Sequence, residues 1–136
     1  MLGRLFKDER SSGPTRTSPM YTVSPAERLV VVKFGQVAGL EEIKSYAAAL
    51  ISDPAFRSDF SEIVDLSDVQ ELRLSAGDAL QLADTVDSFS ADAKRAFVAR
   101  TPMQVHAARM HQVLRSEERI RIFASQAEAR AWIIRP

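Results

Sequence analysis

One stretch in the middle of the chain restricts the fold more than any other: Glu62-Ile63-Val64-Asp65-Leu66-Ser67-Asp68-Val69-Gln70-Glu71-Leu72-Arg73-Leu74-Ser75-Ala76-Gly77-Asp78. Its first third is apolar, β-branched and of strand length, and it closes on an acidic residue. The middle is polar and reads as a loop. Ser75 then opens an amphipathic segment, in the position of a helix N-cap. An acidic residue at the end of a strand, followed by a loop and a helix start, is where an α/β domain places a ligand site. Asp65, Ser67, Asp68, Ser75, Gly77 and Asp78 are therefore the candidate site residues.

The rest of the chain continues the alternation. Residues 20–23 read as a short strand and 24–27 as a turn. The β-branched run Arg28-Leu29-Val30-Val31-Val32-Lys33-Phe34 reads as a central strand covered on both faces. The first two strands are close enough for an antiparallel hairpin. Residues 40–53 predict a helix with Leu40, Ile43, Ala47 and Leu50 inward and Glu41, Glu42 and Lys44 outward. Asp53-Pro54 ends it, and Phe56 and Phe60 plug the loop that follows. Residues 61–66 predict a strand, and 75–89 a helix buried through Ala79, Leu82, Ala83 and Val86.

Residues 95–99 predict a further strand. Thr101-Pro102-Met103-Gln104 combines a cap, a first-turn proline and a capping-box glutamine. Met103, Ala107, Met110 and Leu114 then repeat on one helical face, more as core than as a binding stripe. Residues 120–123 predict an edge strand. Ser125 and Glu128 form a second capping box, opening a last helix with Ala127, Ala131 and Trp132. The order β-β-α-β-α-β-α-β-α predicts an α/β fold with a five-stranded, mostly parallel mixed sheet and four helices, its first strand antiparallel.

Composition narrows the function classes. The chain of 136 residues is long enough for one domain with a real core. Residues 1–19 are rich in Ser, Thr, Pro and charge and read as a flexible tail, in which Leu2, Leu5 and Phe6 can make one amphipathic turn. The domain spans 20–136. No apolar run approaches membrane-span length, so integral membrane association is not expected. The absence of cysteine excludes disulfides and thiolate chemistry and fits a cytoplasmic protein.

The net charge is zero but unevenly spread. Residues 1–19 carry four basic against two acidic residues, 20–93 five against thirteen, and 94–136 nine against three. Such a chain can steer a charged partner, or the fold can interleave the charges on one mixed surface, the reading the sequence favours.

Motifs are mostly missing. Without a glycine-rich loop there is no dinucleotide or nucleoside-triphosphate fingerprint, so no cofactor is expected. His106 and His111 stand five positions apart on one helix, turned about 140° from each other, and cannot share a metal. No basic patch is interleaved with aromatics, so nucleic acid is not an expected partner. Asp65 with Asp68 has the chemistry to hold a hard cation such as magnesium, although a solvated acidic loop is the simpler expectation and no metal site is assigned. No catalytic constellation is recognisable, and the chain reads as a non-enzyme.

The runs Tyr21-Thr22-Val23, Leu29-Val30-Val31-Val32-Lys33-Phe34-Gly35, Asp53-Pro54-Ala55-Phe56, Ile63-Val64-Asp65-Leu66-Ser67 and Glu128-Ala129-Arg130-Ala131-Trp132-Ile133 together resemble the STAS-like family typified by the sporulation anti-sigma-factor antagonists (SpoIIAA-like), in an uncharacterised bacterial branch. The resemblance implies a compact STAS-like domain that docks other proteins, a kinase or regulator among them. A homodimer is a further expected assembly. In that family a serine at the helix start after the third strand is phosphorylated. Ser75 stands at the matching place, and the family's Asp-Ser-Ser-Gly-Leu-Gly is here Leu74-Ser75-Ala76-Gly77-Asp78-Ala79, which makes any phosphoserine switch degenerate. Relatives of this fold also resemble lipid-transfer domains, so the resemblance implies a small apolar-ligand or lipid site as the alternative.

Overall fold

The computed structural model describes residues 13–85, 88–115 and 119–135. The β-branched runs become strands. β1 (Met20–Ser24) and β2 (Leu29–Lys33) form an antiparallel hairpin, with Thr22 opposite Val31. Its turn closes through the Arg28 N–H donating to the Pro25 carbonyl. β3 (Val37–Gly39) leads directly into α1 (Leu40–Ile51). β4 (Ser61–Asp65), β5 (Glu71–Arg73) and α2 (Ala76–Thr85) follow. β6 (Arg95–Val98), α3 (Pro102–Arg115), β7 (Ile120–Phe123) and α4 (Gln126–Ile133) complete the order.

The main sheet has five strands in the order β1-β2-β4-β6-β7, parallel except for β1. The mixed sheet with one antiparallel edge strand and four helices is the expected architecture. β3 and β5 pair in parallel as a separate two-stranded sheet. Neither strand is among the sequence's expected elements, because three residues each are too short to show a period.

Both faces of the main sheet are covered, as the nearly continuous apolar strands require. On one face Val30, Val32, Val64, Phe97 and Ile120 pack with Tyr46 and Leu50 of α1 and Ala108 of α3. On the other, Leu29, Ile63, Ala96 and Val98 pack against Ala129 of α4, with Phe123 and Trp132 beside them. Truncating fully buried Leu50 or Ile63 to alanine is expected to cost about 2–5 kcal/mol. Phe56 and Phe60 do plug their loop, in an edge-to-face pair with centroids 6.3 Å apart.

Three helix readings are corrected. Glu42, expected outward, is only 6% exposed, because Glu42, Tyr46 and Leu50 share one i, i+4 row that faces inward. Its carboxylate is matched by Arg16, whose Nε and Nη2 donate to Oε2 and Oε1, each at 2.9 Å. In α4 the buried alanine is Ala129, while Ala127 and Ala131 are exposed; the inward stripe is Ala129, Trp132 and Ile133. α2 ends at Thr85, so Phe89 is not part of it and instead stacks edge-to-face on Phe56. Val86 and the turn through Leu2, Leu5 and Phe6 lie outside the described residues. Among those described, no helix is long and apolar enough to cross a membrane.

Candidate functional site

Asp65 ends β4 in register with Lys33 on one side and Val98 on the other, at the carboxyl edge of the sheet as expected. It is 4% exposed. Its Oδ1 accepts the Ser67 N–H at 2.8 Å and its Oδ2 accepts Gln126 Nε2 at 2.7 Å. Burial alone pushes its pKa up. Hydrogen bonds from the Ser67 hydroxyl, Gln126 and the Ser67 N–H, together with the charge of Lys33, outweigh this and hold the carboxyl below its ordinary range. Asp68 is exposed and pairs with Lys33 at 3.5 Å. Each carboxylate thus has its own protein partners. Among the described residues no group of three His, Asp or Glu side chains could hold a metal ion.

Gln104 holds the same loop from the other side. It is 2% exposed, and its Nε2 donates to the carbonyls of Ser67 at 3.3 Å and Val69 at 2.9 Å. Its Oε1 accepts the N–H groups of Arg100 and Thr101, while the Thr101 hydroxyl accepts its own N–H, which is the capping box read from sequence.

Ser75 is exposed at the N-cap of α2. Its Oγ accepts the Asp78 N–H at 3.0 Å, and the Asp78 carboxylate accepts the Ser75 N–H at 3.1 Å. This is a capping box with aspartate in the glutamate position. Gly77 sits between them, with only the Ser75 hydroxyl near the position of a Cβ. The six candidate residues therefore form two groups. Asp65, Ser67 and Asp68 stand at the end of β4, and Ser75, Gly77 and Asp78 at the start of α2. The hydrogen bonds of Ser75 and Asp78 join each other and do not reach the first group.

An apolar space lies elsewhere. A cavity of about 130 Å³ lies between the sheet and α1, α2 and α3. Phe34, Val64, Leu66 and Phe97 floor it, Leu74, Ala79 and Leu82 close it from the α2 side, and Ala107, Met110 and Leu114 wall it from α3. A second space of about 90 Å³ shares Ile43, Tyr46, Glu62, Leu82, Arg95 and His111 with the first and extends to Leu50 and Phe89.

The shared wall is polar at its centre. Glu62 is 1% exposed. It accepts Tyr46 Oη on Oε2 at 2.6 Å and Arg95 Nε on Oε1 at 2.9 Å. The Arg95 guanidinium also stacks over the Phe89 ring, 4.9 Å from its centroid. Burial, and then the Glu62 charge, push the Tyr46 phenol well above its ordinary pKa. The His111 ring leans on Phe97 at 5.4 Å. Met103 packs on the core and Met110 lines the cavity.

Reading the sequence did not find this cluster. Its signal was present: Glu62 and Arg95 are opposite charges near the starts of two apolar strands, and the register pairs them. Tyr46 lies one helical turn beyond Glu42, on a face taken to be purely aliphatic.

No protein-family model matches the chain, and no curated protein matches it. Among solved structures, it is similar to an uncharacterised protein of the DUF3478 family with a SpoIIAA-like fold from Shewanella loihica PV-4, at a TM-score of 0.62 and 19% sequence identity. The likeness covers 90% of this chain and 98% of that one. With the sheet order and four helices described above, it shows that this chain has a SpoIIAA-like fold.

Proposed function

We propose that this domain is a non-enzymatic binding module whose ligand is a small apolar molecule held in the cavity between the sheet, α2 and α3. The observation that carries this reading is the cavity itself, with apolar walls from the sheet and three helices and a buried polar cluster on one side. An unfilled apolar space of about 130 Å³ costs its walls the contacts they would otherwise make. A bound apolar molecule recovers part of that cost and raises stability by mass action. The test is thermal unfolding with and without toluene. The melting temperature is expected to rise with toluene in the natural chain and to stay put in Ala107→Phe, whose ring fills the space. No rise in the natural chain, or an equal rise in both, would sink the reading.

A second reading, a cytoplasmic docking domain regulated at Ser75 by a kinase, is supported by the exposure of that hydroxyl at the start of α2. Phosphate is tolerated at a helix N-terminus, here beside the Asp78 carboxylate. Its test is binding to a cellular partner. Ser75→Ala is expected to bind and Ser75→Asp to fail, and equal binding by both, once stability is matched, leaves Ser75 as a cap alone.

A further inference from the structure

We infer that the cavity selects an uncharged aromatic molecule of phenol-to-indole size that carries one O–H or N–H donor, recognised at the Tyr46–Glu62 pair. This rests on the cavity being a ligand site and goes on to name the class of ligand.

Size sets the first limit. An apolar protein cavity of about 150 Å³ accepts benzene. The space here is about 130 Å³, and one of about 90 Å³ lies beside it, sharing Tyr46, Glu62 and Arg95 in its lining. One or two fused rings fit those dimensions, and an acyl chain or a diacyl lipid does not. The walls suit a ring, since Phe34 and Tyr46 meet edge-to-face at 6.3 Å and Phe97 completes the floor.

Hydrogen-bond direction sets the second limit. The Tyr46 hydroxyl and Arg95 Nε both point their protons at Glu62. The raised pKa keeps the Tyr46 proton in place at any ordinary pH. Among the described residues, no group donates to Tyr46 Oη, and each Glu62 oxygen accepts one bond where it can take two. Tyr46 and Glu62 therefore offer acceptors to the cavity, and a ligand answers them with a donor.

Charge sets the third. Glu62 is already balanced by Arg95. A carboxylate ligand would face the buried Glu62 charge, and an ammonium ligand would lose its hydration for a carboxylate that Arg95 has already claimed. A neutral donor carries neither cost.

The test is calorimetric titration of the full chain with indole, phenol, toluene, benzoate and decanoate. Indole and phenol are expected to bind saturably, toluene at least about tenfold more weakly for want of one hydrogen bond to a charged or charge-linked acceptor, and benzoate and decanoate not at all. In Tyr46→Phe, which removes the Oη acceptor but frees the Glu62 Oε2 that Tyr46 occupied, the preference for indole over toluene is expected to change, and an unchanged preference overturns recognition at this pair. Toluene equal to indole in the natural chain overturns the donor requirement while leaving the cavity as a ligand site. Decanoate or benzoate as the tightest probe overturns the charge argument in the same way. If none of the five binds, the cavity is not a ligand site and the proposed function falls with it. The probe series on the natural chain decides the matter even if Tyr46→Phe fails to fold.

Discussion

At the end of β4, the Asp65 carboxylate receives Ser67 and Gln126 and so fastens the following loop to the first turn of α4. Its folded pKa lies below the unfolded value of about 3.9. The stability it contributes is therefore complete above that value and lost as pH falls through the folded one. Asp65→Asn is expected to lower stability at pH 7, and the gap from the natural chain should close below about pH 4; urea unfolding at both ends of the range would show it. Ser75→Ala removes the acceptor for the Asp78 N–H and should cost on the order of 1 kcal/mol. Ser75→Asp keeps an acceptor at the positive end of α2 but sets it beside the Asp78 carboxylate, so most of the stability should remain. A Ser75→Ala variant as stable as the natural chain would mean that Asp78 caps the helix alone. Asp65 and Ser75 were legible because residue type and place along the chain suffice to mark a strand end and an N-cap. Glu62 and Arg95 were not: only the strand register puts them face to face, and register is a long-range property.

Among the elements, α1 departs furthest from its pattern. Its N-cap is Gly39, in extended backbone and without a side-chain cap. A Cβ at that position would stand 2.9 Å from the Arg73 carbonyl oxygen and 3.0 Å from Glu42 Oε1, which explains why no serine sits there. Beneath it Glu42 depends on Arg16, a residue of the segment read as a peripheral tail. Arg16→Ala should destabilise by about 1–3 kcal/mol, since it leaves a buried carboxylate with its partner gone. Deletion of residues 1–19, expected from composition to change little, removes Arg16 as well and should lower the melting temperature by as much. An unchanged melting temperature would show that water replaces Arg16 at Glu42. The α1 periodicity gave the right element and start, with the end two residues short of the 40–53 expected, but an ion pair 26 residues apart has no local signature. The helix starts at Thr101 and Ser125 were legible in full, because a capping box is written within four residues.

Across the whole molecule, Arg16–Glu42, Arg95–Glu62 and Arg130–Glu27 each join a basic end of the chain to its acidic middle. At these three places the opposite charge blocks of the sequence meet, and the Arg95–Glu62 pair is buried. The strand order has a consequence of another kind. A chain leaving the ribosome delivers β1, β2, β4, β6 and β7 in the sequence in which they stand across the sheet, so each new strand joins an open edge and none is threaded between two neighbours. The helices do not arrive so evenly: the face built from Leu29, Ile63, Ala96 and Val98 takes its cover from α4, which follows all five strands along the chain. During synthesis this half-finished sheet shows the cell a bare apolar face, and a nascent chain stopped before α4 should be held by a chaperone that lets go once that helix has emerged.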